Sequence, residues 1–281
     1  MGNYLKNRGF QLFVLILLVL LGSRKSALLA QVQSQAGTEY TQLLTRLDTV
    51  SQWIERKPQW ERLDRFRTSP LFDSLIIKIE EELLLILNHP LAKDKLPLNK
   101  YLSILESPDR KLRLVNCGSS NIYGTGNYYL NFVQVIEDGE VKAMKFPGDL
   151  KYFAIDTLQF KQSTIYLFSG QTIHTTRFEV SSYSTYIISN LQLQPYSSFG
   201  LEHSIDLVHD WMSMGGGYEL NFHSRFRTID IQLEVFDVYG DETVLGLPSK
   251  SVNSAEVYPA KLNGFLVFAD GAFVWVDYGR N

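Results

Sequence analysis

Near residue 100 the spacing of apolar side chains changes from three and four to two, and turn dipeptides begin to recur at short intervals. Before that point, Leu43, Leu47, Val50 and Ile54 form one stripe on a helix predicted over 39–57 and ended by Pro58. A second helix opens at Ser69-Pro70, an N-cap followed by a first-turn proline. It carries Leu71, Leu75, Ile79 and Leu83 on one face and stops at Asn88-His89-Pro90, because a residue preceding proline avoids helical geometry. After that point the chain reads as strands. A proline fixes the turn Ser107-Pro108-Asp109-Arg110, and Asp138-Gly139, Asn263-Gly264 and Asp270-Gly271 have the residue types of two-residue hairpin turns. The stretches "STIYLFSGQTIHTTRFEV", "YSTYIISNLQL", "HSIDLVHDWM" and "YELNFHSRFRTIDIQLEV" supply further strands. The expected fold is α+β and mainly β: a two-helix N-terminal cap (31–100) on an antiparallel β body (101–281) of roughly ten strands.

Residues 1–30 contain no acid, place Lys6 and Arg8 ahead of an apolar run from Leu12 to Gly22, and reach a small residue at Ala30. That is the layout of a signal peptide. Eleven apolar residues at about 1.5 Å each cover about half of a bilayer core of about 30 Å. Arg24 and Lys25 follow the run and Leu28 stands three before the cut, so an uncleaved anchor is the alternative. The expectation is an exported protein, periplasmic or in the cell envelope, meeting a membrane only if this segment stays attached. Its removal leaves 23 lysines and arginines against 30 acids, a net charge of −7, which is wrong for a nucleic-acid partner. With one cysteine, no intramolecular disulfide can form.

Cys117 lies in "LVNCGSSNIYGTGNYYLNFVQV". A thiol nucleophile needs a base, and His89, His174, His203, His209 and His223 are available. No helix N-terminus follows to lower its pKa, however, and Gly118, Gly124 and Gly126 read as a wide turn between strands. The segment "HSIDLVHDW" concentrates metal-competent groups. As a strand it would put His203 and His209 on one face about 20 Å apart, and Asp206 and Asp210 on the other. As a helix it would gather His203, Asp206 and Asp210 but would still need a ligand from elsewhere, such as His174 or His223. Asp206, Asp210, Glu234 and Asp237 are candidate glycosidase carboxylates with nothing to fix their separation. Gly215–Gly217 lack the Lys-Ser/Thr of a phosphate loop, and "YGTGNYY" lacks the third glycine of a dinucleotide fingerprint. No cofactor and no metal site is expected. Tyr123, Tyr128, Tyr129, Tyr183, Tyr186 and Tyr196 sit in or beside expected loops, where flat rings could hold sugars or peptides.

The succession "SPDRKLRLVNCGSSNIYGTGNYYLNFVQVIEDGEVKAMKF", with "IYLFSGQTIHTTRFEV" and "LNGFLVF", resembles a pattern in uncharacterised exported β-rich proteins of Bacteroidota-type bacteria. The resemblance implies export and a β-rich body, and no activity. The expected function is therefore binding, of a glycan, a peptide or an envelope protein. The alternatives are a hydrolase whose site is assembled from separate strands and a structural subunit of an envelope assembly. An enzyme should gather perturbed titratable groups, a binding module should expose an apolar or aromatic patch, and an assembly subunit should leave β-edges open.

Overall fold

A computed structural model describes residues 38–39, 41–53, 70–93, 102–119, 128–148, 150–173, 178–210, 219–239 and 260–278. The N-terminal segment 1–30, Pro58, Ser69, Tyr123 with its neighbouring glycines, His174 and Gly215–Gly217 lie outside the described residues. Residues 1–49 and 50–281 form two compact units. A helix α1 is described over 41–53, with Leu43, Leu47 and Val50 buried as the stripe predicts. Thr45 and Thr49 return their hydroxyls to the carbonyls four residues earlier.

In the second unit, helix α2 (Pro70–Leu87) ends where Asn88-His89-Pro90 was expected to end it, and a 3₁₀ turn Pro90–Lys93 follows. Its buried stripe is Ile76, Ile79, Leu83 and Ile86. Ile79 and Leu83 are buried as expected, whereas Leu75 is half-buried and Ile76 takes its place in the stripe. Asn88 donates its side-chain amide to the Leu84 carbonyl at 2.8 Å, satisfying one of the helix's terminal acceptors.

Four strands follow as an antiparallel meander, β1 (Leu102–Glu106), β2 (Leu112–Ser119), β3 (Tyr128–Glu137) and β4 (Glu140–Phe146). The β1–β2 turn falls at Ser107–Arg110, with Arg110 at φ 60°. The β3–β4 turn falls at Asp138-Gly139, both left-handed at φ 50° and 87°, as a two-residue hairpin turn requires. A second sheet comprises β5 (Lys151–Phe160), β6 (Ser163–Ile173), β7 (Phe178–Ser189), β8 (Gln192–Pro195), β9 (Ser204–Asp210), β10 (Glu219–His223), β11 (Thr228–Tyr239), β12 (Ala260–Ala269) and β13 (Ala272–Asp277). Its order is β13-β12-β11-β9-β7-β6-β5, with β8 beside β7 and β10 beside β11. The protein is α+β and mainly β, with thirteen strands among the described residues where roughly ten were expected.

Asn263-Gly264 is not a turn. It lies inside β12, opposite Asp277 of β13. A Cβ on Gly264 would run into the Val276 carbonyl and the Trp275 ring, so the glycine is there to let a strand and an indole come close. The turn signal was read from a residue pair whose glycine serves a close approach instead. Asp270-Gly271, by contrast, turns as expected, at φ 51° and 89°.

The second sheet is buried on both faces along β6 and β7. One face meets the first sheet, where Leu112, Leu114, Val133, Val135 and Phe146 pack on Tyr152, Ile155, Tyr166, Phe168 and Tyr186. The other face closes on itself. Leu158, Leu167, Tyr183, Ile205, Ile231, Leu266 and Phe273 share one core, and Phe160 of β5 meets Phe268 of β12 edge to face at 6.5 Å. Strands from opposite ends of the order touch, so the sheet curls round this second core. Double-sided burial explains the unbroken apolar run Ile165-Tyr166-Leu167-Phe168, in which no residue is more than 1% exposed.

Polar side chains join the layers. Asn116 of β2 gives its amide to the Tyr152 carbonyl and accepts the Tyr152 N–H, both at 3.1 Å, engaging the β5 edge at a bulge. Asn88 treats the β4 edge in the same way, accepting the Ala143 N–H at 2.8 Å and donating to its carbonyl at 3.3 Å. The Tyr166 hydroxyl donates to Asp109 at 2.7 Å and so ties the β1–β2 turn to β6. On the helix side of the first sheet, Gln134 donates to the Leu87 carbonyl, and Arg113 donates to the Ala92 carbonyl, to Gln134 and to Glu106.

Candidate functional site

The sequence "FEVSSYSTYIIS" of β7 alternates between the two buried faces of the second sheet, and small hydroxyl residues occupy positions where the faces are crowded. Ser182 and Ser184 are both buried, and Asp206 of β9 stands directly opposite Ser182. Burial pushes the Asp206 carboxyl above its ordinary pKa, while a hydrogen bond from Ser182 and the nearby His203 pull it back. The Tyr186 ring lies edge-on to the His203 imidazole at 5.5 Å, and burial raises the Tyr186 phenol. Ser182, Ser184, Tyr186, His203 and Asp206 thus form one polar cluster beside the core between the sheets.

This arrangement corrects the expected face of His203. The residue precedes β9, at a bend, where strict alternation is not enforced, and it joins Asp206 instead of lying on the opposite face. The segment is a strand, so the helical grouping of His203, Asp206 and Asp210 does not form. His209 stands opposite Glu179 and Val235, and Asp237 opposite Val208, two residues along β9 from both Asp206 and Asp210. Glu234 pairs with Lys261 on the far side of β11. Among the described residues, no group of three His, Cys, Asp or Glu side chains could hold a metal ion.

The cluster does not have the order of a serine-hydrolase triad. In a serine hydrolase the hydroxyl meets an imidazole that a carboxylate orients, whereas Ser182 meets the carboxylate itself. Asp156, which the sequence reading did not single out, also has a carboxyl raised by burial. It stands opposite Leu167, on the face that closes on itself, and after burial its charge is the second cause that raises the Tyr183 phenol. Asp156 and Asp206 therefore lie on opposite faces of one sheet and do not form a catalytic pair. Cys117 is a strand residue 4% exposed, between Leu102 and Leu130 in the register. It is not on an elbow.

A carboxyl whose folded pKa is raised holds its proton more tightly in the native state, so stability falls as pH rises from the unfolded value through the folded one. Asp206→Asn removes this contribution. The urea midpoint of the variant is expected to equal or exceed that of the parent at pH 7, with the advantage shrinking toward pH 4. An advantage that grows on acidification would mean that Asp206 is stabilising as an anion.

Tyr183 and Tyr186 are 2% and 5% exposed, so they are core residues and cannot serve as platforms for a sugar ring. Tyr129 and Tyr196 are half-buried. One cluster of exposed apolar side chains lies on the β12–β13 hairpin. Phe273 and Trp275 turn inward, whereas Val274, Val276 and Tyr278 are 47%, 38% and 43% exposed. Across the register, Val274 meets Val267 and Val276 meets Phe265, and the Tyr278 ring packs on Phe265 at 5.5 Å. Apolar and aromatic residues fill both sides of β13, and the sequence does not distinguish the exposed side, because valine and tyrosine are ordinary strand residues on either face.

No helix among the described residues is long and apolar enough to cross a membrane. No protein-family model, curated protein or solved structure matches the chain.

Proposed function

We propose that the chain is an exported, envelope-associated binding module that holds a protein partner against the outer face of β12 and β13. The observation that carries this reading is the continuous apolar face of Val274, Val276 and Tyr278 with Val267 and Phe265, on a hairpin whose inner face is already occupied by core residues. Export rests on the charge and hydropathy pattern of residues 1–30. A hydrolase is less well supported, since the two burial-raised carboxyls lie on opposite faces and Ser182 meets a carboxylate with no imidazole between them. Strand addition is less well supported at the β4 and β5 edges, where side chains already occupy backbone groups.

A photo-crosslinking amino acid at Val276 is expected to give a discrete adduct in the producing cells, and one at the exposed Glu140 is expected to give none. The double variant Val274→Lys/Val276→Lys should lose the partner while keeping its unfolding temperature within a few degrees, since surface substitutions usually cost little. The same adducts from both positions, or none from Val276, would rule this face out.

A further inference from the structure

Three turns gather at one end of the second sheet. The β10–β11 turn, Ser224–Arg227, lies beside β5, where Arg227 Nη1 donates to the Gln159 carbonyl at 3.4 Å. It also lies beside β12, since the Arg227 carbonyl accepts the Phe268 N–H at 2.9 Å. The β5–β6 turn contributes Lys161, whose ammonium sits 5.0 Å from the Phe160 ring. The β12–β13 turn reaches the same place, because a Cβ on Gly271 would collide with that ring. These turns carry Lys161, Arg225 and Arg227 against a single acid, Asp270, in a chain whose net charge is −3. Among the described residues, no carboxylate forms an ion pair with any of the three cations. At the apex, Phe226 is 66% exposed, with the Arg225 guanidinium 5.5 Å from its ring. A Phe226 N–H bond to the His223 carbonyl at 3.1 Å closes the turn that presents it.

We infer that this end of the protein rests on an anionic lipid surface, with Phe226 entering the headgroup layer between Arg225 and Arg227. A bilayer interface is negatively charged outside and apolar a few ångströms beneath, and a projecting ring flanked by cations matches that order of layers. An acidic protein surface would satisfy the three cations but would leave the phenyl ring against polar groups. The surface is separate from the outer face of β12 and β13, and neither assignment depends on the other.

The test uses the full chain with Phe226→Cys carrying an environment-sensitive fluorophore. Cys117, at 4% exposure, is spared by labelling under native conditions. Because the dye reports only its own surroundings, any attachment through residues 1–30 does not obscure the result. With phosphatidylcholine vesicles containing about one third phosphatidylglycerol at low salt, the emission should rise severalfold and shift to the blue, and high salt should reverse the change. Phosphatidylcholine alone should give little response. Each cation near such a surface contributes about a fivefold gain in partition, so K161Q/R225Q/R227Q should raise the half-saturating lipid concentration about a hundredfold. An unchanged emission, an equal response to both vesicles, or a response to polyglutamate but not to vesicles would overturn the assignment, the last of these in favour of an acidic protein.

Discussion

Phe168→Ala is expected to lower the free energy of unfolding by about 3–5 kcal/mol. Phe168 is completely buried where the two sheets meet. Its ring stacks on Phe146 of the first sheet at 4.7 Å, and within the second sheet it stands edge-on to Tyr186 at 5.4 Å and to Tyr152 at 6.0 Å. Removing the ring costs the transfer energy of a phenyl group and leaves a cavity that none of these aromatic neighbours can fill from a strand backbone. Phe168→Leu retains most of the volume and should cost roughly half as much. For a folded unit of this size, the alanine variant should melt about ten degrees lower. Urea titration measures the loss, and a cost below about 1 kcal/mol would show that the ring cluster is not what joins the sheets.

Arg113→Ala is expected to cost about 3 kcal/mol by a different route. Arg113 is 9% exposed, and its guanidinium reaches the Ala92 carbonyl at 2.9 Å, Gln134 at 3.2 Å and Glu106 at 2.8 Å and 3.0 Å. The methyl group of alanine would leave a buried carbonyl and a buried amide oxygen without that donor. Arg113→Lys keeps the charge but cannot reach all three acceptors from one nitrogen, so its cost should fall in between. The loss should be local. Hydrogen exchange is expected to accelerate in α2 and the 3₁₀ turn well before it does in β6. Equal acceleration in both would mean that the network supports the whole unit and not the seating of the helix.

Much of the fold can be read from the sequence because its signals are local. Pro108, Asp138-Gly139 and Asp270-Gly271 specify turns through backbone geometry that few other residues adopt, and the structure places turns at all three. β5 was not distinguished as a strand, because its bulge puts Tyr152 and Ile155 in the same core and leaves Phe153 47% exposed, which spoils the period of two. Gly264 misled because a glycine that allows an indole to approach looks the same as one that turns the chain. The candidate surfaces were less legible. Tyr183 and Tyr186 were nominated as ligand platforms and proved to be core, since burial on both sides of a strand depends on which layers the rest of the chain brings up. The density of metal-competent groups around His203 and Asp206 is legible in the sequence, but their neighbours Ser182 and Tyr186 come from a strand about twenty residues earlier. Phe226 and its two arginines are not legible as a surface in "HSRFRT", because a hairpin tip becomes a cationic surface only when Lys161 arrives from another turn.

The contact between Asn88 and Ala143 bears on how the protein behaves at high concentration. β4 is an outer strand of its sheet, and outer strands are where identical chains can stack into fibrils. One amide side chain already holds the N–H and the carbonyl of Ala143, midway along that strand, so an incoming chain would have to expel Asn88 before its own ladder could run the full length. Asn88 also closes the C-terminal turn of α2, so its displacement would disturb the helix as well. Resistance to self-templating at this edge is thus coupled to the seating of the helix, and partial unfolding of α2 would remove both together.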